Sequence, residues 1–597
     1  MFKSVPHILF ATIQKTPEKK ALVYKRHGKI KHFDYEEFGN QIRYLTSSFK
    51  DLGIIPGEKI AIISNNRPEW TITDFSIMCH KNIVVPIHQN ITAEQMLYVI
   101  KNSESRVLFI ENEEHYEKIK QIESHLSKIK AIVSFEKIDD ENIIHYDELL
   151  EKGRQYYHAN PKYFSETYNN IDPKEICTIV YTSGTTGEPK GVMLYHEAFV
   201  KEIISSEDRL GLDEDETFLS FLPLSHLYER VAGHWTPMYK TNTIFYSESI
   251  NTVIDDIQVA QPTVIVSVPR LYEKITEKIL SKVDHGSFVS RKMFYWALKV
   301  GKEYNARKYE GTLNKSITKK YNMADKIVFS KIKKKLGGRL KFPIAGGAPL
   351  SVKTLKFFEA LGLNIIEGYG MTETHLIIAL TPAEKIRYGS CGKPIDILKV
   401  KIAEDGEVLV KGPTAMAGYY KKPKETAELI DADGWLHTGD IGYLDEDNFL
   451  YLTDRKKNII VTAGGKNIAA APIESLLKKS RYVDEACMIG DSQKFISALI
   501  VPNFEKLSKW ASQNKIEFSN NEELVENQKV KDFMWAEIET QQEKLATFEK
   551  IKKIALIPNE FTLENDELTP SLKLRKKQIN ENYKDVIEKI YESDAVV

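Results

Sequence analysis

The chain has 597 residues, 42% of them hydrophobic and 28% charged. That composition excludes wholesale disorder, and at about 150 residues per domain the length calls for several cores. Its 83 Lys and Arg against 84 Asp and Glu leave a net charge of −1, which excludes a globally basic nucleic-acid binder; no nucleic-acid partner is expected. Four scattered cysteines, Cys79, Cys177, Cys391 and Cys487, contain no C-x-x-C pair. This argues against a zinc cluster or disulfide framework and for a reducing, cytoplasmic compartment. No run approaches the roughly 18 apolar residues of a spanning helix. The N-terminal segment, lacking a small-x-small cleavage site, reads as a first amphipathic helix rather than a signal.

In chain order, KIAIISNN (59–66) reads as a buried strand, and Arg67-Pro68-Glu69-Trp70 opens a helix that runs through DFSIM. NIVVPIH is the next strand, TAEQMLYVIKNS a helix and RVLFIEN a strand. The rhythm returns in TVIVSV, the helix from PRLYEKITEKIL, the strand RLKFPIAGG, the helix SVKTLKFFEALG and NIIEGYG. Strand–helix–strand alternation predicts an α/β fold of mostly parallel sheets with helices on both faces. Between 301 and 341, 13 Lys and Arg face three acids. There Met323, Ile327, Ile332 and Leu336 fall at near-helical spacing before Gly337-Gly338. The segment is either a helix with one buried stripe and a solvated basic face, or a surface that meets anionic lipid or anionic substrate. Residues 395–455 carry hairpin-like strands with Asp-Gly and Asp-Asn turns, predicting a small antiparallel barrel or sheet. A boundary follows Arg455, giving a large unit at 1–455 and a smaller α+β unit at 456–597. Residues 503–551 read as a solvated helical insertion in the latter.

The chemistry concentrates first in YTSGTTGEPKGVMLYHE (181–197), where a strand enters a loop of glycines, hydroxyls and a lysine. Gly184 and Gly187 allow close backbone approach. Thr182, Ser183, Thr185, Thr186 and Lys190 offer donors and positive charge to phosphate oxygens. No Gly-x-x-x-x-Gly-Lys-Ser/Thr pattern fits, so this is not a Walker loop.

The segment resembles the phosphate loop of the adenylate-forming superfamily, and further segments match in order. FLPLSHLYERV (221–231) resembles the acyl-pocket segment, AGGAPLS (345–351) one wall of the adenine pocket, and EGYGMTET (367–374) the adenine-stacking and metal segment. GWLHTGD and YLTDRKKNII resemble the ribose and hinge segments. GGKNIAAAPIE and LTPSLKLRKK resemble the glycine-rich element and the lysine segment of a mobile C-terminal domain. The LPLSHLYER, KNIAxxPIE and LTPxLKLR forms favour the long-chain fatty acid–CoA ligase branch.

The resemblance implies ATP-dependent activation of a medium- or long-chain fatty acid to an acyl-AMP, then transfer to CoA. The alternatives are a fatty acyl-AMP ligase loading a carrier protein and a non-catalytic lipid-binding relative. ATP, Mg2+ and CoA are the implied cofactor and co-substrates. The fatty carboxylate must approach a triphosphate. At about 4 Å and an effective dielectric near 20, each like-charge contact costs roughly 4 kcal/mol. Lys573 is the implied bridging cation and Glu373 the Mg2+ ligand with Thr185. Thr372 is placed on the α-phosphate, and Tyr369 on adenine with Gly346, Gly347, Ala348, Glu367, Gly368 and Gly370. Asp440 and Arg455 are placed on the ribose. Lys457 falls at the hinge, and Gly464, Gly465 and Lys466 on the CoA path. His226 is assigned to the carboxylate or thiol path and Trp235 to an acyl tunnel, each set against a plain core role. Departures are Ala470 in place of a usual proline, His80-Lys81 after the first helix, and His88-Gln89-Asn90 in place of an aromatic-Pro-Thr turn. Membrane contact, where it exists, is expected to be peripheral and to use residues 301–341.

Overall fold

The computed structural model describes residues 2–182, 188–249, 252–383, 385–456, 459–463, 467–543, 545–562, 564–568 and 574–592. Two large sheets dominate. In one, strands Lys59–Ile63, Ile83–Ile87, Ser105–Ile110, Ala131–Ser134 and Ile143–His145 run parallel, and the hairpin Ile176–Thr182/Lys190–Tyr195 closes one side. In the other, Lys20–Arg26, Thr243–Tyr246, Thr217–Ser220, Val264–Ser267, Phe342–Ala345 and Ile366–Tyr369 lie parallel in that order. Their near-continuous apolar strands follow from burial on both faces.

Helix Pro68–Cys79 begins on its proline, whose missing N–H has no helical partner to lose. It is buried on every side. Thr71 Oγ1 and Tyr246 Oη are 2.7 Å apart, tying it to one sheet. A buried ion pair ties it to the other: Arg230 donates to Asp74 through Nε at 3.0 Å and through a second nitrogen, and to Thr178 Oγ1 at 2.9 Å. The guanidinium also lies over the rings of Trp70 and Trp235. Arg230 belongs to a π-helix, Tyr228–Trp235.

Residues 395–455 form a four-stranded antiparallel sheet, Lys399–Ile402, Glu407–Lys411, Leu436–Leu444 and Leu450–Arg455. Gly406, at φ +86°, makes its first turn. Beyond it lie a two-stranded pair, Ile459–Val461 with Asn467–Ala469, and a three-stranded sheet, Val483–Ile489, Ser497–Pro502 and Lys553–Leu556. These pack on a hydrophobic core of their own, centred on Ile473, Leu477, Met488 and Ile500.

Two expectations are corrected. Helices Phe504–Gln513, Asn521–Glu526 and Gln528–Gln541 are not simply solvated, because Leu507, Ala511, Leu524, Val530, Met534 and Ile538 enter that core. The stripe Met323, Ile327, Ile332, Leu336 is not one buried face either. Met323 is 54% and Ile327 36% exposed, while Ala324 and Phe329 are buried. A π-helical turn at Asp325–Phe329 interrupts the run between helices Lys315–Ala324 and Ser330–Lys335; Ile327 lies within it, while Leu336, beyond it, is buried and Ile332 packs on the same core. All four cysteines are free. No helix among the described residues is long and apolar enough to cross a membrane.

Arg230→Met should cost about 3–5 kcal/mol, since it leaves the Asp74 carboxylate buried without its cation. Urea unfolding measures this. Adding Asp74→Leu should recover most of the loss, and a double variant no better than the single would contradict the ion-pair account.

Candidate active site

The hairpin Ile176–Thr182/Lys190–Tyr195 pairs Thr182 with Lys190 and so clamps both ends of the glycine-rich loop. Ser183, Gly184, Thr185, Thr186 and Gly187 lie outside the described residues, as do Lys457, Gly464, Gly465, Lys466 and Lys573. Lys190 Nζ sits 4.9 Å from the centre of the Tyr419 ring. Tyr419 donates its hydroxyl to Glu373 Oε1 at 2.7 Å, and Met416 N donates to the Glu373 carbonyl at 2.8 Å. Burial, reinforced by Glu373, raises the Tyr419 phenol and keeps it a donor. Lys190 and Glu373, far apart in sequence, thus flank one tyrosine.

Glu373 and Thr372 lie in a short 3₁₀ turn just after strand Ile366–Tyr369. Next in the chain, His375 has φ +65° and is fully buried. Its Nδ1 lies 2.7 Å from the Thr414 carbonyl, which can only accept, so Nδ1 carries the proton. Its Nε2 then accepts from Tyr195 N at 3.2 Å. Burial lowers its pKa to about 3, so the ring is neutral. Glu202, also buried, accepts from Ile377 N on the far side of the turn. Gly370 admits no side chain, since a Cβ would come within 1.4 Å of the Leu376 carbonyl oxygen.

Tyr369 ends its strand and donates to Asp440 Oδ2 at 2.5 Å. Burial first, then the Asp440 charge, raises its pKa. Asp440 is paired across the antiparallel sheet with Arg455, whose Nε is 3.2 Å from Asp440 Oδ1. A carboxylate flanked by a guanidinium suits a vicinal diol, whose hydroxyls donate. Gly346 is packed against Tyr228, whose ring lies 2.9 Å from where a Cβ would stand, while Gly347 and Ala348 are exposed beside it. Glu367 and Gly368 share the strand with Tyr369. Burial pushes Glu367 up to about 8, so it is mostly protonated at neutral pH.

His226 is exposed, with its ring centre 5.4 Å from that of His88. Trp235 is buried, edge-on to Phe199 and beneath Arg230. Within the same π-helix, burial raises Glu229 to about 8 and lowers His234 to about 3. At 3.8 Å they form a neutral pair rather than an ion pair.

Sequence reasoning missed Tyr419, His375 and Asn66. Asn66 accepts from Leu224 N at 3.1 Å and donates to Ser220 Oγ and the Leu222 carbonyl, fixing the loop before His226. The position of Asn66 at the end of strand Lys59–Ile63 was its one signal, since parallel-sheet sites lie beyond carboxyl ends of strands. Among the described residues no three His, Cys, Asp or Glu side chains cluster as a metal cage. A lone carboxylate beside hydroxyls fits Mg2+, which keeps waters and shares substrate phosphates.

The AMP-binding enzyme family matches residues 9–420, and the AMP-binding enzyme C-terminal domain matches residues 457–595. This chain belongs to the AMP-binding enzyme family. Its relatives include the long-chain-fatty-acid–CoA ligase FadD15 of Mycobacterium bovis, 32% identical over 94% of this chain and 92% of that one. The peroxisomal long chain acyl-CoA synthetase 6 of Arabidopsis thaliana is 31% identical over 94% and 82%. Fatty acyl-CoA synthetase A of Dictyostelium discoideum is 31% identical over 96% and 88%. Among solved structures, anthranilate CoA ligase AuaEII with anthranoyl-AMP superposes with a TM-score of 0.72 at 18% identity, covering 98% of both chains. ATP-bound MatB from Rhodopseudomonas palustris gives 0.70 at 19% identity, covering 98% of this chain and 100% of that one. At this identity the likeness is one of fold.

His375→Gln should cost about 2 kcal/mol at pH 7.5 by disturbing two buried hydrogen bonds. A histidine whose pKa falls from 6.5 to about 3 on folding stabilises fully above pH 6.5, and that contribution is lost as pH falls towards 3. The deficit of the variant should therefore shrink by about 1.4 kcal/mol per pH unit below pH 6. Urea unfolding at a series of pH values checks it; a pH-independent deficit would mean His375 is not held neutral.

Proposed function

We propose that this chain is an AMP-forming fatty acid–CoA ligase of the long-chain type. The observation that carries the reading is a pair of side-chain sets, Tyr369 with Asp440 and Arg455, and Glu373 with Tyr419 and Lys190, both built on the one short segment from Tyr369 to Glu373. The first set offers a ring, a carboxylate and a guanidinium to a nucleoside; the second a cation and a carboxylate to its phosphates. Relatives at about 30% identity over nearly the whole chain are named as a long-chain-fatty-acid–CoA ligase and a long chain acyl-CoA synthetase.

In the first half-reaction a fatty carboxylate oxygen forms a bond to the α-phosphorus of ATP, and the bond to pyrophosphate breaks. In the second, the CoA thiol sulfur attacks the acyl carbonyl and AMP leaves with the electron pair of the broken C–O bond. Asp440 and Arg455 hold the ribose while Tyr369 covers adenine. Glu373, oriented by Tyr419, would hold Mg2+, whose charge when bound offsets that of the phosphates. Thr182, Ser183, Gly184, Thr185, Thr186 and Gly187 are assigned to the phosphates, with Thr185 also towards the metal, and Thr372 to the α-phosphate. Lys573 bridges the two anions.

The same proposal divides the chain into 1–455 and a mobile lid at 456–597, with the hinge at Lys457. Gly464, Gly465 and Lys466 line the CoA path, and His226 stands near the reacting carboxylate. Trp235, packed in the core, borders the acyl tunnel through its neighbours. The enzyme works on the cytoplasmic side, in peripheral contact with a membrane.

Pyrophosphate should appear on adding palmitate, ATP and Mg2+; none with any fatty acid from octanoate to arachidate would sink the reading. Lys573→Ala should abolish adenylation but spare thioester formation from supplied acyl-adenylate, and equal loss of both would refute its role. Tyr419→Phe should lower kcat/KM by about 10–100-fold, as removal of an outer-shell partner of a metal ligand does. Excess Mg2+ should restore part of it. No change on titrating Mg2+ would detach Tyr419 from the metal.

A further inference from the structure

Helix Phe288–Tyr309 has two apolar faces. Phe294, Ala297, Val300 and Gly301 are buried against helix Val352–Ala360, where Asn305 Nδ2 donates to the Glu359 carbonyl at 2.9 Å. On the outer side Phe288 is 60%, Val289 66%, Tyr295 44% and Trp296 38% exposed. Phe288, Lys292, Tyr295 and Lys299 follow one another at four-, three- and four-residue steps and so form a single ridge. Lys292 Nζ lies 4.5 Å above the Phe288 ring. The next helix, Lys315–Ala324, packs on the first with Tyr304 stacked on Tyr321 at 4.2 Å. Met323, near the end of that helix, and Ile327, in the π-turn that follows, are exposed among Lys319, Lys320 and Lys326.

Charge gathers on the same elements. From 288 to 335, 14 Lys and Arg, 12 of them Lys, face Glu303, Glu310 and Asp325. Glu303 pairs with Arg307 and Asp325 with Lys333, which leaves the excess of cations large. Lys282 and Lys335, from separate helices, are close enough that Lys282 lowers the pKa of Lys335. Exposed aromatic rings and crowded ammonium groups are both unfavourable in water. An anionic interface relieves both, giving the rings an apolar layer and the cations phosphates. Lysine rather than arginine suits diffuse headgroup charge, because it acts as a point charge without a fixed bidentate geometry.

We propose that the outer flank of residues 288–335 docks the enzyme on an anionic lipid bilayer, with Phe288, Val289 and Trp296 inserted among the headgroups and the surrounding lysines set against lipid phosphates. This surface begins upstream of the basic segment legible in the sequence, and it includes Met323 and Ile327, which one reading of the sequence places in a buried stripe. The inference rests on the fatty acid–CoA ligase reading, since a bilayer is where a sparingly soluble fatty acid collects.

Co-sedimentation of the full chain with vesicles tests it. Vesicles of phosphatidylcholine mixed with phosphatidylglycerol should bind at least about tenfold more tightly than phosphatidylcholine alone, and raised salt should release the protein. Two independent pairs, F288S/W296S and K292E/K299E, should each weaken binding to the mixed vesicles about tenfold. Both should keep wild-type thermal unfolding and wild-type pyrophosphate release with octanoate, which needs no bilayer. Absence of vesicle binding, equal binding to neutral vesicles, or insensitivity to both pairs would overturn the proposal. So would a change in oligomeric size caused by F288S/W296S, which would make this face a protein contact. Vesicle binding without turnover of any fatty acid from octanoate to arachidate would count against the ligase reading while leaving the docking face intact.

Discussion

A fatty carboxylate and a triphosphate repel each other, and the site has to hold both at bonding distance. Much of the described structure around the nucleotide position answers that constraint. One strand end brings Tyr369 to Asp440, and the antiparallel sheet brings Arg455 to the same carboxylate. The clamped hairpin brings Lys190 to the tyrosine that orients Glu373. Each carboxylate is thereby given a cation nearby, Arg455 at Asp440 and Lys190 across the Tyr419 ring from Glu373.

Behind this polar rim, buried titratable groups are kept neutral. His375 spends both ring nitrogens on backbone groups, Tyr195 N–H and the Thr414 carbonyl, so the turn carrying Thr372 and Glu373 is fastened to the hairpin Ile176–Thr182/Lys190–Tyr195 without a buried charge. Glu229 and His234, within the π-helix, are likewise held neutral by burial. A buried ion pair, Arg230 with Asp74, lies deeper, where it ties the helix between the sheets to one of them, Thr71 and Tyr246 tying it to the other. A pair of this kind is costly to break, and it fixes the relation of two sheets that each supply part of the site.

The glycine-rich loop, the tyrosine strand and the aspartate hairpin were all readable in the sequence, because each depends on residue types at short spacing. Tyr419 was not: its partner Glu373 is 46 residues away. His375 was passed over because a histidine in a string gives no sign of its tautomer or burial. The stripe at Met323–Leu336 was misread for a different reason. Counting by 3.6 assumes an unbroken α-helix, and here a π-turn interrupts it: Met323 and Ile327 face solvent while Phe329 and Leu336 are buried.

By itself the sequence determined the α/β architecture, through alternating apolar strands and helices, and the chemical class, through strings in which glycines, hydroxyls and a lysine occur at fixed spacing. Both depend on local periodicity and local composition, which a linear chain records. Only the tertiary structure decided which carboxylate meets which phenol, which histidine stays neutral, and which apolar residues of the basic hairpin face outward. Those outcomes depend on contacts between segments distant in the chain and on the exact phase of a helix, and neither is written in any short stretch of sequence.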